Sequence, residues 1–477
     1  MKQRLMLAVL GLGSGLLAAV PQISNVGMAR KQADGAVSIA YQLSGEPAVV
    51  TMSFESEGMA LGTGARLAVT GDVNVLVQPG THTAVLPSLP VGVDGSKLAV
   101  QVRAWATNCP PDYLVLCLTN VNEKAHYYLS ADEVPGGVTA QQYKTSHLVM
   151  RKIPAANVEW RMGSPAQEAS REQRVGNFAS AGENLHYVRM TEDYYLGIYP
   201  VTYRQHCWAT GSAGSYYGAW GDSAFAAVRR DDWPYMQTQF VSLRSWMHDS
   251  NPGKDCHGGC GIVTKCWPEY GHEIDAANSD TCTQSTKGKY TPYLRGWRDR
   301  LGFEFDIPTD AQWEFACRAG TVGAVYTSTE VACYTSRISD EQLNEISWNV
   351  NNSFDETLRC VVPHTVGLKK PNAFGLYDMI GNVFEWCLDV GSVLASSADT
   401  VVDPVGRTGQ NNDRSRACVV RGGSYASDTA YCRSAARAVM STTGLNNPAY
   451  AADSAKNDPT ANWQVGYRLC LPAQAAR

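Results

Sequence analysis

Two acidic residues flank a tight stretch of backbone late in the chain. Asp378 and Glu385 lie on either side of Gly381 and Asn382. Hard cations bind carboxylate and carbonyl oxygens, and Ca²⁺ tolerates the irregular geometry that such a loop offers. The segment therefore predicts a calcium site. The alternative is a plain turn with a surface Asp378 and a buried, hydrogen-bonded Glu385.

A second group of metal-binding or redox-active residues lies in residues 252–292, which read as an inserted loop. It contains four cysteines and two histidines: Cys256, Cys260, Cys266, Cys282, His257 and His272. Cysteine and histidine are the usual zinc ligands, but their spacing here is irregular. The chain has 14 cysteines, an even number that suits an oxidising compartment. We predict disulfides in this segment, with zinc as the alternative.

The element best marked by local sequence is a short helix that begins after Thr309. The Thr309 hydroxyl can cap the helix while the Gln312 side chain reaches back, which is a capping box. Trp313 and Ala316 then share one face, and Gly320 is placed to end the helix. Most residues of this segment are therefore predicted to be structural.

The first part of the chain shows a period of two. Val37, Ile39, Tyr41 and Leu43 alternate with small or polar residues, as expected for half-buried antiparallel strands. This pattern predicts an N-terminal β-sandwich of immunoglobulin-like type over residues 34–134, followed by a linker at 135–154. A second domain is predicted over 155–477. Cys109 and Cys117 are candidates for a local disulfide in the first domain.

The N-terminus has the layout of a secretory signal. Lys2 and Arg4 precede an apolar, glycine-broken stretch that is short for a membrane span. We predict a signal peptide within residues 1–29, cleaved at an uncertain point, and a periplasmic or extracellular protein that leaves the membrane after cleavage. The net charge of −5, with no basic run, argues against a nucleic-acid partner.

Five blocks of the second domain, in order, resemble the formylglycine-generating enzyme (sulfatase-modifying factor) family. The most specific block is PNAFGLYDMIGNVFEW at residues 371–386, and the helix block is IPTDAQWEFACRAG at 307–320. The other three blocks are 158–164, 194–202, and the group 421–425, 432–437 and 466–468. The resemblance implies an α+β domain related to C-type lectins, with short strands, few helices and much irregular structure.

The resemblance also implies a ligand set for calcium. Carried over by position, the ligands are the Asp378 side chain, the carbonyl groups of Gly381 and Val383, and the Glu385 carboxylate.

The oxidase chemistry of the family implies two thiolates that bind Cu(I), a soft ion that prefers sulfur. Aligned without gaps, these positions fall on Ser427 and Cys432, while Ser424 and Tyr431 fall on the active-site serine and tyrosine. The first thiol is therefore missing. Aligned instead on residues 435–437, Cys432 matches neither thiol and is predicted to be structural.

Three functions remain open from the sequence. The first is a non-oxidising family member that binds a protein, peptide or glycan. The second is a copper-dependent oxidase that converts a sulfatase cysteine to formylglycine, and the third is another oxidoreductase of the family. Fold alone does not choose among them.

Overall fold

The computed structural model describes residues 20–30, 35–168, 171, 182–211, 230–236, 238, 243, 293–327, 340–390, 399–404, 417–441 and 464–473. They form two compact units, residues 1–107 and 108–477. Within these described ranges no helix is long and apolar enough to cross a membrane. The first nineteen residues of the predicted signal peptide and the cysteine-rich segment 252–292 lie outside them.

The described residues contain many short strands and four α-helices. The strands of the first unit are β1 (Gln22–Arg30), β2 (Val37–Ser44), β3 (Ala48–Ser56), β4 (Met59–Thr63), β5 (Thr70–Gly71), β6 (Val75–Val77), β7 (Gly80–Leu86) and β8 (Leu98–Ala106). Those of the second unit are β9 (Tyr113–Cys117), β10 (His126–Tyr128), β11 (His147–Ile153), β12 (Glu159–Met162), β13 (His186–Arg189), β14 (Tyr194–Gly197), β15 (Phe354–Asp355), β16 (Cys360–Val361), β17 (Phe384–Val390), β18 (Val401–Val402), β19 (Ala417–Arg421), β20 (Arg437–Ser441), β21 (Val465–Gly466) and β22 (Cys470–Pro472). The helices are α1 (Tyr203–Thr210), α2 (Tyr293–Leu301), α3 (Asp310–Arg318) and α4 (Asp340–Ile346). Sheets with few helices confirm the predicted α+β class.

The first unit consists of two antiparallel sheets around one apolar core. One sheet has the order β1-β2-β7-β5, and in the other β3 pairs with β4, β6 and β8. The alternation predicted from sequence is seen in β2, where every second side chain is buried. These side chains join those of β3 in the core because successive residues of a strand point to opposite faces. An immunoglobulin-like topology for this unit stays a prediction.

Strand β1 overlaps the range 1–29 expected for the signal peptide in all but its last residue, Arg30. It pairs antiparallel with β2, with a register shift between Ser24 and Gly27. Its side chains are mostly exposed.

The boundary between the units differs from the one suggested by the strand pattern. The first unit ends at Thr107 rather than at residue 134. Strands β9 and β10 instead join β11, β14 and β22 in a five-stranded sheet of the second unit. Alternation alone does not show which sheet a strand joins, because that depends on pairing with distant residues.

The predicted disulfide between Cys109 and Cys117 is wrong. Both are free thiols, and no disulfide joins any two cysteines in the described part of the chain. Cys117 pairs with His147 at the start of β11, whereas the Pro110 carbonyl oxygen accepts from Lys152 near the end of that strand. Cys117 and the segment next to Cys109 therefore lie toward opposite ends of β11, whereas a disulfide needs Cα atoms within roughly 7 Å of each other.

The second unit also contains a four-stranded sheet, β20-β19-β17-β21, against which α3 lies. The predicted capping box is confirmed. The Thr309 hydroxyl accepts from the Gln312 backbone amide, and the Gln312 side chain accepts from the Thr309 backbone amide. The C-cap is Ala319, in the left-handed conformation, and Gly320 follows it. The helix therefore ends one residue earlier than glycine placement suggested.

Candidate functional site

The site is built from two loops that flank the four-stranded sheet. The first, residues 378–383, precedes β17 and includes three left-handed residues, Asp378, Gly381 and Asn382. The second follows β19 at Gly422. The Gly381 amide donates to the Gly422 carbonyl at 2.8 Å, and the Tyr425 amide donates to the Asn382 carbonyl at 2.8 Å. These bonds fix the two loops to each other.

A third segment closes around the same loops. The Asn382 amide donates to the Trp348 carbonyl at 2.8 Å, and the Asn382 side chain exchanges hydrogen bonds with the backbone of His364. The rings of Trp348 and His364 stack with their centroids 3.7 Å apart, and the Lys369 ammonium lies 3.8 Å from the Trp348 centroid. Burial, with help from Lys369, lowers the pKa of His364 to about 4, so this ring is neutral at pH 7.

Cys432 lies beneath these loops, out of contact with solvent. Burial raises the pKa of its thiol to about 12, although a hydrogen bond with Ser347 opposes the shift. A side chain at Gly423 would come within 3.0 Å of its sulfur. The thiol is therefore protonated at neutral pH and enclosed by the protein.

Ser424 and Ser427 form a closed pair of hydroxyl groups. Their Oγ atoms are 2.9 Å apart, and the Ser427 hydroxyl accepts from the Ser424 amide at 3.0 Å. The Ser424 hydroxyl also donates to the side chain of Gln464. Ser427, which the alignment without gaps places at the first thiol position, thus presents a hydroxyl group that is bound to its neighbours.

Tyr431 lies at the end of a single 3₁₀ turn, Thr429–Tyr431, and is half-buried. The Asp428 side chain caps this turn by accepting from the Ala430 amide. Burial, followed by the nearby Asp428 carboxylate, raises the pKa of the Tyr431 phenol. The phenol is therefore neutral at pH 7.

These residues do not fit the Cu(I) site of an oxidase. Cu(I) needs thiolate sulfur, and a protonated, enclosed thiol beside a serine hydroxyl does not supply it. The structure brings Gly423 close to Cys432, and the group that shares a hydrogen bond with the Cys432 sulfur is the Ser347 hydroxyl.

Glu385, one of the predicted calcium ligands, has protein partners for its carboxylate. The Arg468 guanidinium donates to both oxygens, at 2.7 to 3.1 Å, and Trp313 Nε1 donates to Oε2 at 2.7 Å. A divalent cation here would lie beside a buried guanidinium. Glu385 therefore does not fit a calcium ligand in this arrangement, and it matches the buried, hydrogen-bonded alternative.

Asp378 is also buried, but its carboxylate accepts fewer hydrogen bonds than that of Glu385, and no guanidinium among the described residues donates to it. Its carboxylate accepts from the Gly367 amide at 2.6 Å and from the Asn382 side chain at 3.4 Å. Burial raises its pKa from 3.8 to about 6 despite these bonds and the nearby Arg468. Calcium binding by Asp378, Gly381, Val383 and Glu385 stays a prediction, and we derive no chemistry from it.

The raised pKa of Asp378 allows a test that distinguishes a calcium-bound carboxylate from a buried carboxyl group without an ion. The carboxyl group stabilises the fold fully below pH 3.8, and this contribution is lost as the pH rises through about 6. Asp378→Asn keeps an acceptor for the Gly367 amide and tolerates the left-handed backbone. As the pH rises from about 4 to about 7, we expect the free energy of unfolding of the variant to increase by roughly 3 kcal/mol relative to that of the parent.

Urea unfolding at several pH values measures this difference. The exposed Asp299, replaced by asparagine, serves as a control that should show no such trend. A bound calcium ion requires the ionised carboxylate and would reverse the sign. In that case Asp378→Asn would be the less stable protein at pH 7, and chelation would lower the melting temperature of the parent alone.

The sequence did not identify three residues that complete the site. Ser347 and Gln464 lie outside the family blocks, and each contacts a candidate residue from a distant part of the chain. Arg468 is inside the family block at 466–468, but its partner Glu385 lies 83 positions earlier. Of the three residues, only Arg468 could have been singled out from the sequence, because it lies in a family block. That block did not indicate Glu385 as its partner.

Comparisons with known proteins agree with the blocks. A curated formylglycine-generating enzyme from Streptomyces coelicolor is 35% identical over 127 residues, which are 26% of this chain and 38% of that protein. The mouse formylglycine-generating enzyme is 31% identical over 131 residues, 26% of this chain and 32% of its own length. The alignments thus span about a third of these relatives.

Two further similarities involve proteins with other names. Chaperone protein LppX of Paenibacillus barcinonensis is 26% identical over 204 residues, 41% of this chain and 61% of that protein. The solved structure of Treponema denticola variable protein 1 is 20% identical, covers 68% of this chain and 95% of its own, and has a TM-score of 0.39.

The match to a protein family covers more than half of the chain. Residues 150–447 match the sulfatase-modifying factor enzyme 1-like domain, a range that includes both loops of the site, Cys432 and α3. The chain therefore belongs to the formylglycine-generating enzyme (sulfatase-modifying factor) family.

Proposed function

We propose that this chain is an exported, non-oxidising member of the family that binds a protein, peptide or glycan. The observation that carries the proposal is the state of the two positions aligned with the copper thiols. Ser427 offers a hydroxyl bonded to Ser424, and Cys432 offers an enclosed thiol with a pKa raised to about 12 by burial. Neither is a ready ligand for Cu(I).

The surroundings of Cys432 support the same conclusion. A cysteine that attacks or binds a substrate must present its thiolate to that substrate. The Cys432 side chain instead fills space between Gly423 and Ser347 in the interior. We assign it a structural role, as in the alignment that places it at neither thiol position.

The residues around the loops suit binding better than redox chemistry. Trp348, His364 and Lys369 form a stack of two rings and one cation beside the Asn382 loop. Such groups contact peptides and sugars through ring faces and through charge. A relative named as a chaperone protein, LppX, is also compatible with a binding role. The ligand is a protein, peptide or glycan, and an exported sulfatase is one candidate.

Incubation of the copper-loaded protein with a peptide that bears the sulfatase motif Cys-x-Pro-x-Arg tests the proposal. We expect no conversion of the peptide cysteine to formylglycine by mass spectrometry. The Streptomyces coelicolor relative, treated in parallel, serves as the positive control. Saturable binding of labelled motif peptide or of members of a glycan panel, without turnover, is the expected positive result.

Two variants make the result specific. Ser427→Cys adds a thiol at the other aligned position. Because Cys432 is enclosed and protonated, we expect no gain of Cu(I) affinity in a competition assay with a colorimetric chelator, and a gain would show that only one ligand had been lost. Cys432→Ala is compared with Cys317→Ala, since both thiols are fully buried and have pKa values raised to about 12 by burial. Repeated turnover by the parent that Cys432→Ala abolishes and Cys317→Ala retains would establish the oxidase instead. Absence of any peptide or glycan binding would contradict the binding role.

A further inference from the structure

Three potential metal ligands, none of them part of the loop site, meet at one end of the five-stranded sheet. Cys117, the last residue of β9, is the direct cross-strand partner of His147, the first residue of β11. Directly opposed residues of an antiparallel pair place their side chains on the same face. Glu123 lies in the turn that follows β9. The ligand atoms of Cys117, Glu123 and His147 all lie within 4.8 Å of one another.

The local contacts hold two of these side chains in place. Cys117 is buried, and its sulfur lies 3.3 Å from the Thr119 hydroxyl. The Ser146 hydroxyl lies 2.9 Å from His147 Nδ1, and the ring packs edge-on against Tyr143. This contact engages Nδ1 and leaves Nε2 as the nitrogen for a metal. A ring oriented by a polar neighbour in this way is typical of metal-binding histidines.

The backbone at His147 and at the turn is also fixed. The Gln205 side chain, from the capping box of α1, donates to the His147 carbonyl at 2.8 Å. The Leu118 amide donates to the Ser146 carbonyl at 2.8 Å, and the Glu123 amide to that of Asn120 at 3.1 Å. Glu123 itself is exposed, so its side chain can adjust to an ion.

We propose that Cys117, Glu123 and His147 bind one divalent transition-metal ion of the zinc type. Zn²⁺ accepts thiolate, imidazole and carboxylate ligands together, and three protein ligands leave a fourth position for water. Calcium and magnesium prefer oxygen alone, so a thiolate and an imidazole argue against them. The ion would link the turn that contains Glu123 to two strands of the sheet.

The test uses the full-length protein, stripped with a chelator and titrated with zinc chloride. We expect one zinc ion per chain at this site by elemental analysis after dialysis, and a higher melting temperature with zinc, because an ion bound only to the folded state stabilises it. Glu123→Gln changes an exposed residue and should leave the fold intact. It should weaken zinc binding by at least about tenfold. Cys109→Ser, an exposed thiol outside the group, is the matched control and should bind zinc as the parent does.

Cobalt substitution identifies the thiolate ligand. We expect a sulfur-to-cobalt charge-transfer band that is present in the parent and in Cys109→Ser but lost in Cys117→Ser. Loss of zinc on replacing Cys256, Cys260, Cys266 and Cys282, with no loss in Glu123→Gln, would overturn the proposal by placing the ion in residues 252–292. Absence of zinc binding by the parent would overturn it as well.

Discussion

Replacement of Arg421 by methionine is expected to lower the free energy of unfolding by about 3–5 kcal/mol. Arg421 is fully buried at the end of β19, and its guanidinium contacts two acidic residues of α3. Nε pairs with the Asp310 carboxylate, and Nη2 lies 2.9 Å from Glu314 Oε2. Nη1 donates to the carbonyl groups of Ser434 and Ala436 at 3.2 and 3.3 Å. Methionine fills similar space but leaves these acceptors without their donor.

The electrostatics of Asp310 support this expectation. Burial alone would raise its pKa, but Arg421 and Arg437 hold the pKa of Asp310 below its usual value. The carboxylate is therefore ionised in the interior and depends on its cationic partners. Removal of one partner leaves a buried charge partly uncompensated, which costs more than the ion pair itself contributes.

The measurement is denaturant unfolding followed by tryptophan fluorescence. Trp105 is the single tryptophan of residues 1–107, so the other 11 of the 12 report on the second unit. Arg204→Met is the control, since Arg204 pairs with Asp231 at 2.7 Å but both side chains are more than 40% exposed. Surface pairs of this kind contribute about 1 kcal/mol or less. Equal losses in the two variants would show that Arg421 is not the centre of a buried charge network.

Gly381→Ala is expected to destabilise the protein by roughly 3–5 kcal/mol. Gly381 has φ +80°, which disfavours any side chain, and a Cβ there would lie 2.3 Å from the Trp348 carbonyl oxygen and 2.4 Å from Ser347 Oγ. The first contact is with backbone, which cannot rotate away. Backbone strain of about 1–2 kcal/mol therefore adds to a similar or larger cost of overpacking. Since Gly381 also bonds to Gly422, the substitution should separate the two loops of the site.

Gly320→Ala provides a matched control for this prediction. Gly320 has φ +90°, yet a Cβ there would meet nothing within 4 Å. We expect only the backbone term, about 1–2 kcal/mol. The same unfolding assay compares the two variants. If both lose the same stability, the close approach of Trp348 to Gly381 does not exist in solution.

Local sequence alone determined the parts of this protein that depend on neighbouring residues. The capping box of α3 joins Thr309 to Gln312 within one turn, so the sequence contains all of its parts. The alternating burial of β2 likewise follows from side chains that point to opposite faces in turn. The order of the five blocks indicated the family, which the match over residues 150–447 confirms.

Tertiary structure decided the pairings between distant residues. The Glu385 carboxylate is bound by the guanidinium of Arg468, 83 positions later in the chain, and nothing in the sequence indicated this pairing. Cys117 could have paired with Cys109, but the antiparallel register places it opposite His147. The residue next to the Cys432 sulfur is Ser347, 85 positions earlier. Such choices depend on which strands pair and in what register, and this is set by burial over the whole domain, so no local spacing contains them.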